Sequence, residues 1–347
     1  MSLVLLIMIK EKKRLNSLRF IGLGMLLCLL FFADIIFGSF ILPFSDVWGA
    51  LSGSASVPKH IIDIVWNFRV SKAVVALLAG LALSVGGLQM QTVFRNPLAD
   101  PYVLGISSGA GLGVALFVLG TSWFDFSGGL EWLQSVGVTA AGWLGAMAVL
   151  GLVLAASVRL RDTMSILILG IMVGGAVSAL VGILQYFSPA TSLKTYMIWT
   201  MGSFSSVSPN DLWILILAVL AGLVIAIATI KPMNALLMGE TYAQSIGINI
   251  RRTRSLIFAG SGLLASVITA FCGPIGFIGI AVPHVARMLF RNANHNILLP
   301  ATMLLGGVIM LFCDIISQLP GIPINTVTAL MGVPVIIIII FRNQRAY

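Results

Sequence analysis

Ten stretches of predominantly apolar residues follow one another along this chain, and that succession limits it to one kind of fold. A run of about 20 apolar residues matches the thickness of a bilayer's hydrocarbon core. In lipid, backbone polar groups must be satisfied within the spanning structure, so such runs read as helices. The windows lie at about 18–42, 70–91, 102–120, 136–157, 165–187, 212–230, 255–272, 275–290, 298–318 and 325–341. Composition agrees: of 347 residues, 59% are hydrophobic and 9% charged. A soluble domain carries about 25% charged residues, and no interval between windows can bury a core of its own. The expectation is an all-α membrane protein with ten transmembrane helices in one polytopic domain, 1–347. Within it, 1–17 is a cytoplasmic N-terminal segment and 231–254 a cytoplasmic loop. The apolar Ser2 to Ile9 precedes Lys10, Lys12, Lys13 and Arg14, the reverse of a signal peptide's order. The first window therefore reads as a retained span.

Lys and Arg give the windows a direction, because cytoplasmic loops carry an excess of both. With the N-terminus inside, the inside set is Lys10, Lys12, Lys13, Arg14, Arg19, Arg95, Arg159, Arg161, Lys231, Arg251, Arg252, Arg254, Arg287, Arg291, Arg342 and Arg345. The outside set is Lys59, Arg69, Lys72 and Lys194. Sixteen stand against four, which accounts for all 20. Both termini are expected in the cytoplasm of a cell whose inner (cytoplasmic) membrane the chain crosses. The net charge of +9 is largely this bias and argues for membrane lipid, not nucleic acid, as the surroundings.

Two apolar stretches are interrupted in the same way. One runs from Arg95 through Pro97 and Pro101 to Gly105 and Gly109; the other runs from Gly273 and Pro274 through Gly276 and Gly279 to Pro283. Non-helical backbone at membrane depth survives only where protein buries it or where it lines a cavity. A matched pair of such breaks marks transporters built from inverted repeats. Spans 2–5 would begin outside and spans 7–10 inside. Gly80-Leu81-Ala82-Leu83-Ser84 resembles Gly262-Leu263-Leu264-Ala265-Ser266, displaced by 182 residues. The charge count puts the first break at the cytoplasmic face and the second at the outer face. They are therefore expected to work apart, Asn96–Pro101 shaping an inner gate and Gly273–Gly279 the outer fold of the second repeat.

No Walker or HExxH string occurs, and no catalytic residue is nominated. Cys28, Cys272 and Cys313 lie in apolar surroundings without zinc or redox spacing, and the three histidines are scattered, so no metal site is expected. Asp34, His284, Arg287 and Asp314 are ionisable groups in or near the windows. Such groups are either functional or, near span ends, snorkel to the interface. The loop Lys231–Arg252 allows a short helix from Glu240 to Ile246, with Glu240 in its first turn and Gly247 as its C-cap. It is either a solvated loop or a helix that docks into a partner's groove. Gly105, Gly109 and Gly113, and then Gly170, Gly174, Ser178 and Gly182, fall at helix-contact spacing. Both rows suit internal packing; the second could also line a pore at a dimer interface. Ser188–Phe204, half polar and rich in aromatics, suits a helix lying at the membrane surface.

Four strings carry a family resemblance: Arg95-Asn96-Pro97-Leu98-Ala99-Asp100-Pro101 with Leu104–Ala110; Trp199-Thr200-Met201-Gly202-Ser203; Gly239–Ile248; and Gly273–Gly279 with Val282-Pro283-His284-Val285-Ala286-Arg287. Together they resemble the FecCD-type permeases, membrane subunits of type II ABC importers for ferric siderophores, haem and cobalamin. The resemblance implies the type II importer permease fold, a homodimer with a central pathway, two cytoplasmic ATPase subunits and a periplasmic or lipoprotein binding protein. ATP and Mg would be bound by the partner ATPase and no cofactor by this chain, which would not itself be an enzyme. It implies an ATPase-coupling helix at Gly239, Glu240, Thr241, Ala243, Ser245 and Gly247. It implies docking of the binding protein by Arg69 and Lys72, with Gln318 standing where a further basic residue is usual. The cytoplasmic gate maps to Asn96, Leu98, Thr163 and Met164, and the pathway to Gly170, Gly174, Ser178 and Gly182. Ferric siderophore is the first expected cargo, then cobalamin and haem. The rival classes are a secondary transporter driven by an ion gradient and a structural membrane protein with no transport.

Overall fold

The computed structural model describes residues 3–38, 40, 42–54, 57–120, 131–160 and 162–343. Arg161 and Arg345 of the inside set, and the extreme ends of the expected domain, lie outside the described residues. The order is α1 (Leu3–Ile36), α2 (Phe44–Ser52), α3 (Lys59–Asp63), α4 (Ser71–Phe94), α5 (Ile106–Val118), α6 (Glu131–Arg159), α7 (Thr163–Tyr186), α8 (Ala190–Thr200), α9 (Pro209–Ala228), α10 (Ile230–Leu237), α11 (Glu240–Ser245), α12 (Ile250–Cys272), α13 (Ile278–Phe290), α14 (His295–Gln318) and α15 (Ile324–Asn343). The described regular structure is all helical.

Seven of these helices are long and apolar enough to cross a membrane, and α5, α13 and α15 are shorter apolar helices. Each of the ten windows falls on one of these ten. Helix ends differ from window edges because hydropathy does not end a helix; proline, glycine and caps do. The first helix begins at Leu3 instead of at 18. The second span begins at Lys59, just after Pro58, and runs through a π-helical turn (Ile64–Val70) into α4. The loop after α9 holds α10 as well as α11.

The inverted repeat is α4–α7 against α12–α15. Each half is a long helix, a break, a 13-residue helix (α5, α13) and two further helices. A 13-residue helix spans about 20 Å, short of the ~30 Å hydrocarbon core, so each break must supply part of the depth. The two long central helices, α4 and α12, pack on each other and are among the most buried. Each then crosses to the other half, α4 onto α14 and α12 onto α6. The matched pentapeptides make these contacts. A Cβ on Gly80 would overlap the backbone of Gly306 in α14, and one on Gly262 would overlap the Leu150 side chain in α6. Within the first half, α5 lies along α6 with Gly109 facing Gly145 and Gly113 facing Ala141. Small residues thus let backbones touch where no hydrophobic drive between helices exists in lipid.

Candidate translocation and coupling sites

The two breaks, which the charge count assigned to opposite faces, meet at Asp100 and Gly279. After Phe94 the chain turns at Arg95, which adopts φ 48°. Asn96 Oδ1 accepts from Leu98 N (2.9 Å) and Asp100 caps a short 3-10 turn at Tyr102 N (2.9 Å). The chain has by then climbed back along α4, for Pro101 lies against Gly86. The second break turns at Gly273 and at Phe277 (φ 71°). A Cβ on Gly279 would run into the Asp100 carboxylate, and one on Gly87 into the Gly279 carbonyl. The Tyr102 hydroxyl lies 3.0 Å from Thr269 Oγ1 and accepts from Ile275 N at 3.5 Å. The physical reason is the shortness of α5 and α13: their starts must sit deep in the bundle, so the segments leading to them converge. The second break also gathers a further motif. Ser203 N donates to Cys272 O (2.8 Å), and Gly276 N to Asn325 Oδ1 (3.1 Å). A Cβ on Gly273 would meet the Trp199 carbonyl and one on Gly202 the Cys272 and Pro274 carbonyls, so the Trp199–Ser203 string seats on Cys272–Pro274. Gly105–Gly109 satisfies the G-x-S-x-G spacing of a nucleophile elbow, but a 3-10 turn precedes it instead of a strand.

Polar residues at the end of α4, which the sequence reading passed over, join the two halves. Arg287 Nη1 donates to Gln91 Oε1 (2.6 Å), and Gln91 Nε2 donates to the Gly279 and Ile280 carbonyls (3.1 and 3.2 Å). Thr92 Oγ1 lies 2.9 Å from His295 Nε2. Gln89-Met90-Gln91-Thr92 inside an apolar window was the available signal. Such residues at depth must find partners.

The expected docking pair is turned inward. Arg69 is only 8% exposed. Its guanidinium donates to the carbonyls of Ile35 (3.0 Å), Ile36 (2.8 Å) and Phe40 (2.6 Å), tying down the end of α1. Lys72 Nζ bridges Asp314 Oδ1 at 3.0 Å, and Gln318 donates to Asp34 (2.6 Å) and Asp314 (3.2 Å). Asp34 and Asp314 are therefore buried and tied to each other through Gln318 instead of snorkelling. Asp34, Arg69, Lys72 and Gln318 line a cavity of about 550 Å³ with Phe68 and Ser206.

At the coupling segment, α11 is the short helix expected. Gly247 N donates to Gln244 O and Ile248 N to Ala243 O, closing a Schellman C-cap with Gly247 at φ 85°. Glu240 pairs with Arg254 of α12 at 2.5 Å. Thr241, Ser245 and Gly247 face out, as do Tyr242 and Ile246. Ala243 is fully buried in this chain's own core and seats the helix. Gly239 and Glu240 are half-buried.

Of the gate residues, Asn96 is half-buried and Leu98 exposed; Thr163 and Met164 form the first turn of α7, Met164 exposed. Asp162 caps that turn at Met164 N (3.2 Å) and Ser165 N (3.0 Å). These amide bonds, foremost that from Met164, and the Ser165 hydroxyl hold its carboxyl below the usual range. The row on α7 splits. Gly170 is buried against Leu104, and Gly174 abuts Gly105, whereas Ser178 is exposed and Gly182 opens onto free space. Only the latter two stand on an uncovered face. On α8, Tyr196 is buried and Met197 and Ile198 are exposed.

This assembly of inverted halves, paired breaks and a short projecting helix defines the membrane-spanning permease subunit of an ABC importer. The chain belongs to the FecCD transport family, whose profile matches residues 26–342. It is 35% identical over 290 residues to the vitamin B12 import system permease protein BtuC of Klebsiella pneumoniae, covering 81% of this chain and 83% of that one. It is also 35% identical over 293 residues to the BtuC of Citrobacter koseri, covering 81% and 84%. A solved structure described as an inward-facing metal-chelate type ABC transporter superposes with a TM-score of 0.80 at 27% identity, over 94% of this chain and 99% of that one. The PsaBC structure from Streptococcus pneumoniae, at TM-score 0.52 and 15% identity over 80% of this chain and 93% of that one, shares the fold.

Proposed function

We propose that this permease carries an intact metal chelate, a corrinoid or a ferric siderophore, across the inner membrane, driven by ATP hydrolysed on a partner. The observation that carries the cargo class is the agreement between vitamin B12 permeases at 35% identity and a metal-chelate type transporter over nearly the whole chain. Corrinoid moves ahead of siderophore on the names of those relatives. Among the described residues no group of three His, Cys, Asp or Glu comes together, which suits a cargo handed over with its metal already bound.

In this reading two copies face each other across the uncovered side of α7, where Ser178 and Gly182 stand. Both termini, Asn96, Leu98 and α11 lie on the cytoplasmic side, as the Lys and Arg bias requires. Two ATPase subunits, which bind the ATP and Mg, receive α11, and their closure rocks the helices between access states. A periplasmic or lipoprotein binding protein docks at the other end. Arg69 and Lys72 serve that docking by holding the rim in shape, since their charges are engaged within the chain. No cofactor is held by this chain.

The test is reconstitution in liposomes with the ATPase and binding protein of the same operon. Labelled cobalamin and a ferric siderophore are followed with and without ATP. Uptake of one of them that needs both ATP and the ATPase is expected. Uptake without the ATPase that collapses with an uncoupler would favour a secondary transporter and overturn the reading.

A further inference from the structure

At the end of the bundle that bears α10 and α11, a cavity of about 230 Å³ opens between α4, α10, α13 and α14; its wall includes Gln91, Thr92, Arg95, Leu236, Arg287 and His295. Arg287 reaches it half-buried and donates Nη1 to Gln91 Oε1 at 2.6 Å. Gln91 is aimed by its own amide, which is spent on the Gly279 and Ile280 carbonyls. Arg95 enters from the turn after α4, its Nη2 donating to Leu236 O at 3.2 Å. The ion pairs among the described residues are Lys72–Asp314 and Arg254–Glu240, and neither arginine takes part in them. No Asp or Glu lines the cavity.

Two guanidinium groups thus share a small cavity that contains no negative charge. Each carries five N–H donors in a rigid fork, and those forks match the paired oxygens of a phosphate. Withdrawing a cation from water without a counter-charge is costly; an anion beside the half-buried Arg287 would offset that cost, and the exposed Arg95 could close on it from the mouth of the cavity. Gln91, Thr92 and His295 add polar groups to a wall that, the two arginines aside, is otherwise Leu236, Leu237, Ala293 and Leu298. His295 Nδ1 lies 2.9 Å from Asn234 Oδ1 and its Nε2 2.9 Å from Thr92 Oγ1.

We propose that this cavity is a binding site for a phosphate-type oxyanion, held by Arg287 and Arg95. The same chemistry is presented by free phosphate and by the headgroup of an anionic phospholipid.

The experiment uses the full-length chain purified in detergent. Inorganic phosphate is titrated at constant ionic strength against chloride. In parallel, native mass spectrometry reads lipid retained from nanodiscs of phosphatidylcholine with or without phosphatidylglycerol. The expected result is saturable phosphate binding that weakens at least about tenfold in R95Q and in R287Q, the loss of one charge-assisted hydrogen bond. K59Q, at the other end of the second span, should bind as the parent does. Retention of phosphatidylglycerol by the parent and its loss in both variants, with no binding of free phosphate, would assign the site to a lipid headgroup. Failure of both ligands to bind, or equal binding by parent and folded variants, overturns the proposal. If R287Q does not fold, R95Q decides, because that side chain is exposed.

Discussion

Arg287 of α13 and Gln91 of α4 meet at 2.6 Å and join the two inverted halves by a charge-assisted bond inside the bundle. Gln91→Leu leaves the guanidinium without that acceptor. The expected cost is about 1.5–3 kcal/mol, read as a lower unfolding midpoint in detergent. The double variant Gln91→Leu with Arg287→Leu should recover much of the loss, since removing both partners can be nearly neutral. Equal losses in single and double variants would show that the pair does not couple the halves.

Coupling should depend on the outward face of α11 and not on Ala243. Tyr242→Arg and Ile246→Arg are expected to weaken ATPase association and ATP-driven uptake with little change in the permease's own stability. Ala243→Leu overpacks a fully buried site and should cost about 1–3 kcal/mol of stability. Glu240→Ala frees α11 from Arg254. As Arg254 is buried and only Glu240 is partly exposed, about 1–3 kcal/mol of stability should go, while stimulation of the ATPase falls.

The close approach of α4 to the start of α13 leaves no room for a methyl group. Gly87→Ala would place its Cβ on the Gly279 carbonyl, and backbone cannot yield as a flexible side chain can. Expected is a loss of roughly 3 kcal/mol or more, seen as a sharp fall in monodisperse protein on size exclusion. Gly22→Ala on α1, with nothing near it, is the matched control and should behave as the parent.

The start of α7 should respond to acid. The Asp162 carboxyl is held below its ordinary value of 3.8 by the Met164 and Ser165 amides and the Ser165 hydroxyl. A lowered value means that the cap is fully present above pH 3.8 and is lost as the pH falls through the folded-state value. Protection of the Met164 and Ser165 amides, measured against the intrinsic exchange rate at each pH, should therefore fall in acid. Asp162→Ala should show the same loss at neutral pH, and Asp162→Asn should retain protection, because its amide oxygen still caps the turn.

Much of the architecture is legible in the chain. The windows mark all ten apolar helices, the pentapeptides Gly80–Ser84 and Gly262–Ser266 mark equivalent contacts, and Glu240 and Gly247 bracket α11. The edges were less legible. Hydropathy falls away at Lys59, but the helix continues because the nearest breaker is Pro58. The site residues were legible as strings, but not their contacts: Ala243, Gly170, Arg69 and Lys72 are each engaged within the chain.

By itself the sequence determined the membrane, the ten apolar helices and the inverted halves. These follow from solvent: lipid demands continuous apolar helices, and that demand is local. Only the tertiary structure decided that the two breaks meet at Asp100 and Gly279, that Gln91 finds Arg287, and that Lys72 is spent on Asp314. Those pairings join residues far apart in the chain through backbone contacts between small residues. Their partners depend on how deeply each helix sits, which no local pattern records.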